Sequence, residues 1–136
     1  DQFKPSRFLS EPKVNVTVQV LCAPSEDEAL FLASSRNLNK AGQYMRLPDG
    51  LVSPEDAIEY DLTPLAQGYI DGLRPFYIDG DPSQVHDGIL KCARQYGADD
   101  VSIVTTCYSY EYRERSYRLV AEAFGLNSVG NFDTVD

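Results

Sequence analysis

The residues with most chemical reach stand where predicted strands end. Thr105, Thr106, Cys107 and Tyr108 close the run VSIVTTCYS, while Gln19 and Leu21 share the polar parity of an earlier strand with Cys22 and Ala23 at its mouth. Hydroxyls, an amide and a phenol so placed can bond a ligand, although strand-end threonines also bond backbone. The three cysteines, Cys22, Cys92 and Cys107, are odd in number and form no CxxC pair. They imply neither a disulfide framework nor a zinc site, and read as small buried hydrophobes in a reducing compartment. His86, the one histidine, falls in the first turn of a predicted helix, where solvent exposure outweighs a role as base. Arg113, Arg115 and Arg118 share a predicted helix with Glu111, Glu114 and Glu122, a pattern of surface ion pairs more than of phosphate binding.

The elements that position these residues follow from periodicity. From Lys13 to Leu21, Val14, Val16, Val18 and Val20 alternate with Asn15, Thr17, Gln19 and Leu21, the period of a strand with one apolar and one polar face. That pattern fits a barrel strand whose polar side approaches a site, and equally a half-exposed antiparallel strand. Ser25, with Glu28 three residues on, opens a helix carrying Ala29, Leu30, Leu32 and Ala33 on its buried face. Asp81, Pro82 and Gln84 start a second helix that Gly97 stops. Val101 to Cys107 reads as a buried strand, and Tyr110 to Phe124 as a helix stopped by Gly125.

Between Asn37 and Gly80 the pattern dissolves into a Gly- and Pro-rich stretch, with short helical starts at Ser53-Pro54 and Thr63-Pro64. Its many apolar residues require it to pack on something, as a lid, a subunit contact or a structural excursion. Residues 127–136 read as a mobile polar tail.

The 136 residues suit one domain, with 43% hydrophobic and 24% charged side chains. A net charge of −9 with scattered basic residues excludes nucleic-acid backbones as partners. No apolar run reaches the ~20 residues of a membrane span, and no secretory segment opens the chain, so a cytoplasmic location without membrane contact is expected. The chain begins at Asp1 and its one methionine is Met45, which reads as part of a longer polypeptide. Two parallel strands with bare edges need further strands from a missing N-terminal segment or a partner chain. The isolated chain is therefore expected to self-associate, as a homo-oligomer, or to be poorly stable as a monomer.

Four segments in register, NVTVQVLCAPSEDEAL (15–30), IDGDPSQV (78–85), YGADDVSIVT (96–105) and RERSYRLVAEAF (113–124), resemble the C-terminal third of the bacterial luciferase-like, flavin-dependent monooxygenase family. The resemblance implies an α/β fold that is the C-terminal portion of a (β/α)8 TIM barrel. Residues 1–126 would supply its last two strands and their helices, with 37–80 as a lid-like insertion. It implies reduced FMN, supplied by a reductase, reacting with O₂ to oxygenate a small organic substrate. Gln19, Thr105, Thr106 and Tyr108 are then the candidates to touch flavin or substrate. The family's phosphate contacts and catalytic positions belong to strands outside this chain, so the catalytic residues stay unassigned and the chain alone is expected to be inactive. A non-catalytic subunit or interaction protein, and an unrelated small α/β binding module, are the competing readings.

Overall fold

The computed structural model describes residues 3–126. Its first strand, β1 (Asn15–Cys22), is central in a three-stranded parallel sheet of order β2-β1-β3. β2 (Tyr77–Gly80) pairs with the upper half of β1, Gln19 opposite Tyr77 through Cys22 opposite Gly80. β3 (Asp100–Val104) pairs with the lower half, Asn15 opposite Asp100 through Gln19 opposite Val104.

Three helices connect β1 to β2: α1 (Glu26–Ala41), α2 (Pro54–Ile58) and α3 (Pro64–Leu73), the last running into a 3-10 turn, Arg74–Phe76. α4 (Pro82–Tyr96) crosses from β2 to β3, and α5 (Tyr110–Ala123) follows β3. The alternation in β1 divides the helices between two faces. Val18, Val20 and Cys22 are buried with Val85 and Ile89 of α4 and Val120 of α5. Leu21 and Ala23, of opposite parity, are buried with Ala29, Leu32 and Ala33 of α1.

Local chemistry sets most helix boundaries. Asp81 accepts from the Gln84 backbone N–H at 2.9 Å while the Gln84 side chain accepts from the Asp81 N–H at 3.0 Å, a complete capping box for α4. Gly97, at φ 57°, adopts the left-handed turn that ends α4. For α1 only half of the box forms: Ser25 accepts from the Glu28 N–H, but the Glu28 carboxylate pairs with Arg115. Ser53 and Thr63 cap α2 and α3, each followed by proline at the first helical position. Gly88 lets α4 close on β2, since a Cβ there would meet the Ile78 methyl at 2.8 Å.

This architecture corrects the barrel expectation. Successive barrel strands stand side by side in chain order with every helix outside, whereas here β1 separates β2 from β3 and helices pack on both faces, α1 only at the Leu21–Ala23 end. The described residues form an α/β unit with a three-stranded parallel sheet and five α-helices. The stretch 37–80 also holds more order than its sequence pattern implies, because it contains α2, α3 and the unforeseen β2. β3 ends at Val104, three residues before the expected boundary. The tail 127–136 lies outside the described residues.

Candidate functional site at the carboxyl ends of the strands

In an open sheet with helices on both faces, the connections leaving neighbouring strands diverge, and a crevice opens at the strands' carboxyl ends. Here β1 leads to α1 on one face, while β2 and β3 lead to α4 and α5 on the other. The mouth is stitched by hydrogen bonds. The Cys22 N–H donates to the Ser116 hydroxyl of α5 at 2.8 Å, and the Ala23 N–H donates to the Gly80 carbonyl at 3.1 Å. Thr105 Oγ1 donates to the Val20 carbonyl at 2.8 Å, and its N–H donates to the Tyr117 hydroxyl at 3.1 Å. Buried Thr105 thus acts as a clasp between the end of β3 and β1, which is why the ladder stops at Val104.

Above this mouth, where the β1–β2 connection meets the loop after β3, lies an open cavity of about 610 Å³. Tyr108 lines it with Leu51, Val52, Ser53 and Tyr60, together with the carboxylates of Asp49, Asp56, Glu59 and Asp61. The sequence candidates therefore separate. Tyr108, 52% exposed, reaches the cavity. Thr105 is held by β1, and half-buried Thr106 precedes the cavity-lining loop. Gln19 stands lower, between Tyr77 and Val104, on a sheet face where Asn15, Thr17 and Ser102 are exposed.

Two arginines anchor the surroundings. Arg36, on the buried side of α1, makes a two-pronged pair with Asp79 of β2, at 2.9 and 2.6 Å, and its guanidinium lies 3.8 Å from the Tyr77 ring centre. The Arg36 and Asp79 side chains are 3% and 9% exposed. The signal for this pair was a charged residue on the apolar stripe of α1 and an Asp within the short apolar run before α4; neither alone identifies the partner. Arg115 pairs with Glu28 across to α1, rather than along its own helix, and lies 4.8 Å from the Tyr112 ring.

Burial is the main cause that pushes the Cys22 thiol up to about 11; Asp81 adds to the rise and Arg115 opposes it. Burial also raises Cys107, against backbone N–H donors at Ser109 and Tyr108 and the charges of Arg115 and Arg113. Both thiols are held protonated at neutral pH, the opposite of a nucleophile's requirement. Among the described residues no group of three or more His, Cys, Asp or Glu is arranged to hold a metal ion. No described helix is long and apolar enough to cross a membrane.

No protein-family model matches the chain. The chain is similar to YwcH of Bacillus subtilis (strain 168). That uncharacterized protein is 32% identical over 124 residues, which cover 90% of this chain and 37% of the relative. Uncharacterized YceB of the same strain is 27% identical over 124 residues, 91% of this chain and 38% of the relative. Among solved structures, the crystal structure of apo-MsnO8 superposes with a TM-score of 0.79 at 29% identity, over 92% of this chain and 39% of that one. The chain spans less than two fifths of each of these proteins. The luciferase-like family placement is accordingly withdrawn: no family model supports it, and the relatives bear names that assign no such membership.

The cavity also tests the cofactor expectation. A flavin mononucleotide carries a phosphate dianion, which needs arginine, lysine or a free helix N-terminus. The cavity wall offers four carboxylates and neither arginine nor lysine. The first turn of α1 at the mouth carries Glu26, Asp27 and Glu28. These residues do not fit the phosphate.

Proposed function

We propose that the chain contributes the substrate-side wall of a cytoplasmic oxidoreductase that uses reduced FMN and O₂ to oxygenate a small organic substrate, with the cofactor's phosphate held outside residues 3–126. The observation that carries this reading is the meeting of Tyr108 with the long β1–β2 connection over the carboxyl ends of the strands. Tyr60 and Tyr108 provide aromatic surface for a ring system, and the carboxylates repel the phosphate end, so a flavin would enter ring first. The connection carrying Leu51 and Val52 serves as a lid-like cover that excludes water.

The test compares lumiflavin, which has the ring but no phosphate, with FMN by fluorescence titration of the purified chain. Lumiflavin should bind at least as tightly as FMN, and Tyr108→Ala should weaken it about fivefold, the loss of one aromatic contact. A chain that binds neither flavin, or prefers FMN tenfold or more, contradicts the proposal. The alternative, a non-catalytic interaction protein, draws support from exposed apolar side chains such as Phe76, Tyr110 and Leu126. It predicts no flavin binding and an unchanged surface on Tyr108→Ala.

A further inference from the structure

Asp-Gly occurs four times in the chain, at 49–50, 71–72, 79–80 and 87–88. The dipeptide carries a chemistry of its own. The Gly amide nitrogen attacks the Asp side-chain carbonyl carbon and water leaves, which closes a five-membered succinimide; Gly suits the attack because it has no Cβ to crowd it. Water then reopens the ring at either carbonyl. One opening returns Asp, and the other gives isoaspartate, in which the main chain runs through the former side chain. Ring closure needs an Asp carboxyl without a partner and a Gly N–H without an acceptor. It also needs a backbone able to leave the helix and strand dihedrals, which hold nitrogen and carboxyl apart.

Three of the four sequences fail these conditions. Asp71-Gly72 lies within α3, where the Asp71 carboxylate accepts from the Gln67 side-chain amide at 2.9 Å. Asp79-Gly80 closes β2, with Asp79 held in the two-pronged pair with Arg36 and the Gly80 carbonyl accepting from the Ala23 N–H. Asp87-Gly88 lies within α4, where Asp87 meets His86 Nδ1 at 3.1 Å and Gly88 is closed against Ile78.

Asp49-Gly50 meets every condition. It falls between α1 and α2, outside the helices and strands, and both residues are exposed. Among the described residues the Asp49 carboxylate has no ion-pair partner, and the Gly50 N–H donates to no backbone carbonyl. Gly50 sits at φ 87°, in the left-handed region, and the space where a Cβ would stand is empty to 4 Å. Neither packing nor hydrogen bonding opposes the rotation that ring closure requires.

We infer that Asp49-Gly50 is a modification site, at which the folded chain converts Asp49 to isoaspartate without a catalyst. Asp49 lines the cavity at the strand mouth. Conversion inserts one methylene into the main chain of that wall and moves the carboxylate onto the Cα, with no change in charge. The inference is independent of the flavin reading, because it uses only the backbone and surroundings of the four dipeptides.

The test is incubation of the purified chain at neutral pH and physiological temperature, native and in urea. Isoaspartate is counted with an isoaspartyl O-methyltransferase and labelled S-adenosylmethionine, and placed by fragmentation of the peptides in a mass spectrometer. In the native chain position 49 should carry at least about tenfold more isoaspartate than 71, 79 or 87, since those must first open locally and even a shallow opening slows the reaction tenfold. In urea the four should level. Asp49→Glu, whose ring would be six-membered and slower to close, should remove most of the label from the native chain. An even spread over the four positions in the native chain, a native excess at 71, 79 or 87, or a native chain that stays unlabelled while the unfolded one reacts, overturns the inference; none of these outcomes depends on the variant folding.

Discussion

At the scale of single residues, the pair formed by Arg36 and Asp79 is the most consequential charge in the molecule, because both side chains are almost wholly removed from water. Removing one partner leaves the other buried and unpaired, which costs about 3–5 kcal/mol. Asp79→Ala should therefore lower stability by that amount in chemical denaturation. The double variant Arg36→Met with Asp79→Leu should be less damaging than Asp79→Ala, since no charge is stranded. Equal losses in both would show that packing against Tyr77, and not charge, holds α1 to β2. Cys22 gives a second residue-scale prediction. Its folded-state pKa, about 11 against 9.0, means that the unfolded chain loses this proton first. The stability due to the protonated thiol is complete below pH 9 and is lost as pH rises toward 11, at up to ~1.4 kcal/mol per pH unit. Cys22→Ala should flatten the alkaline limb of the stability profile relative to wild type. A parallel pair of profiles would refute the assignment of that limb to Cys22.

The elements show which parts of the fold were legible in the sequence. Asp81 with Gln84, Ser53 with Pro54, and Thr63 with Pro64 marked helix starts correctly because capping is satisfied within four residues of chain. The Val14–Val20 alternation likewise marked β1 and its two faces. Neither kind of signal carries spatial order, so β1 was legible as a strand but not as the centre of the sheet. β2 was hidden for a related reason. Tyr77–Gly80 is four residues long, follows a proline-bearing turn and has Asp79 within it; it is a strand because β1 lies beside it and Arg36 meets that carboxylate. At the site, Tyr108 was legible from its place after a strand, whereas the carboxylates that join it come from the connection where periodicity fails. Gly88 also gained its meaning only from the packing of α4 on β2. Gly88→Ala places a methyl group 2.8 Å from the Ile78 methyl. It should lower stability by about 1–3 kcal/mol despite alanine's better helix propensity. A gain in melting temperature would show that α4 can move off β2 freely.

For the whole molecule, the sheet divides the labour. Its α4–α5 face holds one core cluster, its α1 face holds the other, and the carboxyl ends of its strands are left to form the cavity. In the proposed function, the acidic wall gives selectivity by exclusion. On that reading phosphate-bearing compounds would be repelled, while neutral ring systems would meet Tyr60, Tyr108 and Leu51. The most direct test is a backbone amide chemical-shift titration of the chain with lumiflavin. The shifts are expected to concentrate at 106–109 and 49–61, leaving the α4–α5 face of the sheet unmoved. Shifts centred on that face, or spread evenly over the surface, would contradict a ring-binding site at the strand mouth.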